Sequence, residues 1–365
     1  MSLLEKFKTL TDPRVKRTRK YPLADILIIV LCALICSADS LVAIVKWADS
    51  QREWLKQNFG IEAIPSHDTV GRVLAKIDPK LLAQCLTDWA SQTWTKTATV
   101  QGDAPVVAFD GKRLKGALGV LNLVTAWASD SQLILAVAKA KEGADEQEVM
   151  RKLLALLNLE GCLVTADALH TQVETAQAIR KRKADYLLAL KNNQGQAYNS
   201  AQQLFDKIRA GKLSSADSCL QRSYHRGVRE ERRCWVVSDV ALIDPFERWP
   251  DLKNVVCVER ICYKGTQEKS RQIRYFLSSA SGRAGLFVRA TRGHWGIENS
   301  QHWRLDVFFR EDLSRVSGNG AVSLGVFRRL ALSLLKRETS EKVGVQTKRQ
   351  MAGWDVTYLE KVLAA

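Results

Sequence analysis

Two apolar runs in this chain each close on an aspartate: Val106-Val107-Ala108-Phe109-Asp110 and Leu163-Val164-Thr165-Ala166-Asp167. Runs of this length and composition read as buried strands, so both carboxylates are expected at the edge of a sheet. Magnesium prefers oxygen ligands and keeps several waters. Two aspartates on neighbouring strands, joined by a third carboxylate, therefore suffice to hold a pair of ions that activate an attacking oxygen and stabilise a leaving one. Either aspartate alone reads equally well as a cap or turn residue. An aspartyl-phosphate phosphatase would want a second aspartate two places after the first, and Lys112 stands there.

The third carboxylate is sought in the stretch from Thr291 to Asp306, where His294, Glu298, His302 and Asp306 recur every four residues. On a regular helix these share one face. Two histidines one turn to either side of a glutamate are not the i, i+4 histidine pair that zinc helices use, so zinc is disfavoured. The bland alternative is a salt-bridged helix anchored by Trp295 and Trp303. The functional reading gives Glu298 to the ions, leaves Arg292, His294 and Arg304 for phosphates, and makes His302 an accessory group.

Further polar groups fall at the same expected edge. Lys112 and Arg113 follow Asp110 directly, and Lys191-Asn192-Asn193-Gln194 closes another strand, so that Lys191, Asn192 and Gln194 offer a cation and amides to a DNA backbone or an unpaired base. Ordinary loop chemistry explains that stretch equally well. The cluster Arg222, His225, Arg226, Arg229, Arg232 and Arg233, interspersed with Glu230 and Glu231, is either a DNA contact or a solvated face.

Periodicity supplies the elements that must hold these groups. Residues 1–95 read as a helical module with helices at Leu23–Cys36, Leu41–Phe59, Thr69–Ile77 and Pro79–Trp94; Ser66 or Asp68 is the expected N-cap of the third. Three strands follow, Ala104–Phe109, Leu121–Ala128 and Gln132–Ala138. Then come a helix at Asp145–Leu157, a strand at Cys162–Ala166, a helix at Thr171–Arg182 and a strand at Tyr186–Leu190. This order predicts an α/β fold with a mixed sheet flanked by helices. A charged, strand-like stretch from about 195 to 283 reads as a β-rich insertion. Helices return at His294–Phe309 and Ala321–Arg337, and 341–365 reads as a C-terminal tail.

Bulk properties narrow the partner. Lys and Arg number 55 against 39 Asp and Glu, a net charge of +16, and such a surface attracts polyanions, DNA first among them. Eight scattered cysteines show no CxxC pair and read as reduced thiols. The apolar run Leu23–Cys36 contains Asp25 and falls short of the roughly 20 residues of a spanning helix, so no membrane is expected.

Taken together, the chain closely resembles bacterial insertion-sequence transposases of the ISAs1 type, which include the H-repeat proteins and are related to IS4-type DDE transposases. Nearly the whole length takes part. The carriers are Thr11-Asp12-Pro13-Arg14, Ile64-Pro65-Ser66-His67-Asp68-Thr69, Phe109-Asp110-Gly111-Lys112, Thr165-Ala166-Asp167-Ala168, Asp185-Tyr186 through Lys191-Asn192-Asn193-Gln194, and His294-Trp295-Gly296-Ile297-Glu298-Asn299 through Leu305-Asp306-Val307. The resemblance implies a ribonuclease-H-like catalytic domain over 100–340, carrying the β-rich insertion, and a front module over 1–95 that helps bind element ends. Asp110, Asp167 and Glu298 match the DDE triad. It further implies Mg2+ as cofactor with Mn2+ tolerated, hydrolysis at element ends, strand transfer of the freed 3′-hydroxyl, a homodimer on DNA, and a cytoplasmic, nucleoid-associated protein. A domesticated nuclease that cuts without joining, or a silent DNA-binding regulator, shares these features. The Tyr, Arg and Lys that surround the glutamate in the IS4-type signature are here Thr291, His294 and Leu305, with Arg292 and Arg304 as substitutes. Glu146, at the start of the helix after the third strand, matches an acidic position of relatives and is read as a cap or accessory acid.

Overall fold

The computed structural model describes residues 3–94, 104–114, 121–140, 146–225, 227–238 and 248–365. Six helices open the chain: α1 (Leu3–Thr9), α2 (Leu23–Ile35), α3 (Leu41–Ser50), α4 (Arg52–Phe59), α5 (His67–Lys76) and α6 (Pro79–Thr93). Strands β1 (Val106–Leu114), β2 (Leu121–Ala128) and β3 (Leu133–Ala140) precede α7 (Glu146–Leu156), β4 (Leu163–Ala166), α8 (Val173–Arg180), β5 (Asp185–Leu190) and α9 (Gly195–Arg209). Four long strands follow, β6 (Asp217–His225), β7 (Val228–Val237), β8 (Asn254–Lys264) and β9 (Gln267–Ser278). The chain closes with α10 (Ala284–Gly296), a π-helical segment at Ile297–His302, α11 (Trp303–Val307), α12 (Gly318–Arg337), α13 (Val345–Trp354) and α14 (Val356–Ala364). The strands form a mixed sheet in the order β3-β2-β1-β4-β5-β9-β8-β7-β6.

The chain forms two compact units that do not follow sequence order. One gathers Met1–Thr95, Gly111–Val149 and Ile297–Ala365; the other holds Lys96–Asp110 and Met150–Gly296. Among the described residues the divisions fall inside β1, inside α7 and where α10 gives way to the π-helical segment.

In the first unit, α2 is apolar apart from Asp25, and eleven of its thirteen residues are buried. Among the described residues no helix is long and apolar enough to cross a membrane. The helix α12 is buried along nearly its whole length against α2, α5, α6 and β3, and Phe7 of α1 meets its Phe327 edge to face at 5.8 Å. Short polar caps set the helix starts: Ser40 accepts from the Ala43 amide at 3.2 Å, and Ser66, the first of the two expected candidates, from that of Thr69 at 3.3 Å. The last 25 residues differ from the expected tail. They form α13 and α14, and the buried Arg349 donates to Leu34 O at 2.8 Å and to Asp39 at 2.6 Å.

In the second unit, β1 pairs parallel with β4 and β4 with β5, while β9 returns antiparallel to β5. The expected insertion is thus a continuation of the main sheet. Its first part is also helical: α9 spans Gly195–Arg209 and packs Phe205 on Tyr275 of β9, rings 5.9 Å apart. The helix α10 covers the other face of the sheet, where Val106, Leu163, Leu187, Cys234, Val256 and Phe276 pack against Leu286, Phe287 and Val288. Asp217 of β6 holds the start of that helix, accepting from the Ala284 amide at 2.7 Å. All eight cysteines are free thiols.

Candidate active site

The register of β1 against β4 sets Ala108 beside Thr165 and Phe109 beside Ala166, so the next residues, Asp110 and Asp167, are neighbours on adjacent parallel strands about 4.8 Å apart. Side chains alternate along a strand, so both aspartates lie on the face of Ala108 and Thr165, the face that α10 covers. The expectation that both strands end in their aspartate holds for β4. Strand β1 instead runs on to Leu114, so that Asp110 sits in mid-strand.

Asp167 is locally held. Its Oδ1 accepts from the Leu169 and His170 amides at 3.1 and 3.3 Å, capping a single 3-10 turn, while Oδ2 has no hydrogen bond among the described residues. One carboxylate oxygen is thus fixed by the backbone of the turn. Thr171 ties this turn to the next strand, donating to Ala189 O at 2.6 Å.

His294 reaches the same face from α10, its Nδ1 3.1 Å from Thr165 Oγ1. Burial pushes its pKa down to about 4; the Asp167 charge opposes this, while Arg274 and His170 add to it. At neutral pH the ring is therefore uncharged. The residue expected at a phosphate is here a neutral ring hydrogen-bonded to Thr165.

The expected four-residue stripe is broken. Regular helix stops at Gly296, and Ile297–His302 is wound as π-helix, whose i→i+5 bonding shifts the phase of the residues beyond it. Glu298 is exposed and lies in the first unit. His302 is half-buried there. Asp306 accepts from Lys112 Nζ at 2.6 Å. Lys112, expected at a DNA phosphate, is instead buried, with Asp312 and Glu311 at 3.2 and 3.3 Å completing its shell. Burial would raise the Glu311 carboxyl, but Arg329 at 2.7 Å and Lys112 hold it below the usual range. Of the other expected DNA contacts in the first unit, Arg113 is exposed, and Arg304 is half-buried with its pKa lowered by burial.

At the ends of β4 and β5, Lys191, Asn192 and Tyr198 line an open recess of about 580 Å³ with Asp167 and Leu169. Gln194 is not free to grip DNA: its Nε2 donates to Thr171 O at 2.5 Å, and Asn193 donates to Ala168 O at 2.6 Å. These amides clamp the turn after β5 onto the turn that carries Asp167. Arg292 is exposed on α10 and reaches Gln221 at 3.5 Å.

Glu146 begins α7 and accepts from Asn122 Nδ2 at 2.7 Å. Its carboxylate fills the space that a Cβ at Gly111 would need. Glu146 thus packs directly against the β1 backbone at Gly111. That position suits a group that seats the β1 backbone. Among the described residues no three His, Cys, Asp or Glu side chains are gathered closely enough to hold a metal ion. The two hard oxygen donors that are side by side, Asp110 and Asp167, do have the chemistry that magnesium prefers.

Arg274 and Glu311 carry no expectation from the sequence, and Thr165 and Asn193 enter there only as parts of longer motifs. Each acts by contact with residues distant in the chain, which local spacing does not disclose.

Comparison with known proteins concerns the family and the fold. The family profile "Transposase DDE domain" matches residues 86–335, and "DDE_Tnp_1-associated" matches residues 4–90. YncI of Escherichia coli O157:H7, which carries a transposase name, is 33% identical over 100% of this chain and 95% of its own. YhhI of Escherichia coli K12, an H repeat-associated protein also named as a transposase, is 30% identical over 99% of this chain and 97% of its own. The fold is similar to that of the piggyBac transposase in a synaptic complex with hairpin DNA, with a TM-score of 0.50 at 10% identity over 100% of this chain and 79% of that one.

Proposed function

Because the chain belongs to the DDE transposase family, we propose that it hydrolyses a phosphodiester at each end of a mobile element and transfers the freed 3′-hydroxyl to target DNA. The observation that carries this reading is the adjacency of Asp110 and Asp167 on one face of neighbouring parallel strands, the Asp167 Oδ2 having no hydrogen bond among the described residues. With Glu298 they would hold divalent ions, Mg2+ by preference for carboxylate oxygen and Mn2+ as a substitute. Such ions lower the barrier to attack on a phosphodiester and neutralise the charge on the leaving oxygen.

The protein groups around the aspartates position the DNA. Lys191 and Asn192, in the recess beside Asp167, take a phosphate and a base edge next to the cleaved bond. Arg292, and Arg113 and Arg304 from their own unit, supply further phosphate contacts. Neutral His294 holds Thr165, two residues before Asp167, and so steadies the strand end. A homodimer follows from the need to hold two ends at once.

The test is strand transfer of a labelled element end in Mg2+ by wild type and by Asp110→Ala. The reading expects cut and joined products from wild type and none from the variant. Cleavage without joining points to a nuclease. Full activity in Asp110→Ala overturns the assignment.

A further inference from the structure

Cys219 on β6 and Cys234 on β7 stand directly opposite one another in the antiparallel register. Among the described strand registers this is the one place where two cysteines are paired across strands. Cys257 of β8 pairs with Trp235, so its side chain leaves the sheet on the face away from Cys234. Cys234 is fully buried in the apolar cluster beneath α10, and Cys219 packs against that cluster while still partly open to solvent.

Directly opposed residues of an antiparallel pair have Cα atoms about 4.5 or 5.5 Å apart, according to whether the pair is hydrogen-bonded. Both values fall within the roughly 4.4–6.8 Å that a disulfide spans. Opposed Cβ atoms stand about 4.5–5.5 Å apart, slightly wider than the roughly 3.5–4.5 Å of a relaxed disulfide. A small local movement therefore closes the bond, and the strain it retains makes it easy to reduce again.

The two thiols are unequal. Cys234 donates a hydrogen bond to Cys219, which holds the Cys219 pKa below its ordinary value against the burial and the Asp217 charge that raise it. The same hydrogen bond, together with burial, raises the pKa of Cys234. The thiolate is the nucleophile toward an oxidant, so the more accessible sulfur is also the more reactive one. Cys234 stands beside it as a resolving thiol.

We infer that Cys219 and Cys234 form a reversible disulfide on exposure to a peroxide, Cys219 being oxidised first and Cys234 resolving it. The Cys219 thiolate attacks one peroxide oxygen and the O–O bond breaks. Sulfenic acid forms, and the departing hydroxide takes up the proton that Cys219 gave to solvent. The Cys234 sulfur then attacks the sulfenic sulfur, the S–S bond forms as the S–O bond breaks, and the Cys234 proton leaves with that hydroxide as water. Each sulfur gives one electron, and the peroxide is reduced to water. The strand β6 ends the sheet with β7 as its neighbour, so the link fastens an edge strand. Asp217, two residues earlier on the same face, holds the start of α10. The inference is independent of the proposed function.

The test is mapping of the thiols in the folded full-length chain after it is reduced, freed of reductant and given hydrogen peroxide. Alkylation, digestion and mass spectrometry should find a peptide pair linked through Cys219 and Cys234, which dithiothreitol separates. Cys234→Ser removes the resolving thiol, so dimedone, a sulfenic-acid probe, should label Cys219 in this variant and far less in wild type. In Cys219→Ser the same dose should leave Cys234 unoxidised. Should either variant fail to fold, the wild-type linkage map decides. Wild type in which both thiols stay alkylatable, in which Cys219 goes on to sulfinic acid unlinked, or in which Cys219 pairs with another cysteine overturns the inference. Dimedone on Cys234 rather than Cys219 overturns the order of attack.

Discussion

His294 gives a prediction whose sign and size follow from its surroundings. The ring is half-buried beside Thr165 and near the Arg274 charge, and its pKa falls from the ordinary 6.5 to about 4. Between those values the unfolded chain binds a proton that the native chain refuses, so stability rises with pH across the window and is lost as pH falls from 6.5 toward 4. At about 1.36 kcal/mol per pH unit, the loss at pH 5 relative to pH 7.5 is about 2 kcal/mol, reduced toward about 1 by the solvent that reaches the ring. Urea unfolding of wild type and His294→Gln at both pH values isolates this contribution, because the glutamine keeps a hydrogen bond to Thr165 and cannot titrate. The wild type should lose about 1–2 kcal/mol more than the variant. Parallel losses in the two proteins would refute the buried neutral ring, as would an NMR pKa near 6.5.

The remaining predictions concern positions that hold the site in place. Gly111→Ala drives a methyl group into the Glu146 carboxylate and should cost about 1–3 kcal/mol by urea unfolding, most of it recovered when Glu146→Ala is added. Glu311→Gln leaves Arg329 and Lys112 buried without their shared carboxylate and should cost about 3–5 kcal/mol, whereas Glu311→Leu with Arg329→Met should cost far less. Asn193→Ala removes the amide clamp on the Asp167 turn. It should cost about 1 kcal/mol and lower cleavage at saturating DNA, with overall binding kept.

How far the sequence disclosed the site depends on how local each signal was. The strand before Asp110 and the one before Asp167 were legible because unbroken apolar runs are what strands buried on both faces require. Where β1 ends was not, because Gly111, Lys112 and Arg113 read as a polar turn; Lys112 is accommodated in the strand by three acids more than 190 residues away. The stripe from His294 to Asp306 was misjudged for a similar reason. Its spacing is helical throughout, and nothing in it announces the π-helical segment. The strands β6 to β9 carry charged runs such as Arg229 to Arg233, which hide their pairing; among the described residues it is the bond between β9 and β5 that makes them part of the main sheet. The last 25 residues read as a tail because their helices are short, and Arg349, a core residue here, carries the composition of a surface.

Under the proposed function Asp110, Asp167 and Glu298 would together hold the divalent ions, and iron can report on such a site directly. Substituting Fe2+ for Mg2+ and adding peroxide generates radicals that cleave the polypeptide beside the bound ion, whatever the DNA activity of the preparation. Backbone cuts are expected to cluster near residues 110, 167 and 298, to be competed away by Mg2+ and to vanish in Asp110→Asn with Asp167→Asn. Cuts near 110 and 167 but not near 298 would remove the glutamate from the site, and cuts elsewhere that survive the double substitution would rule out metal binding by these carboxylates.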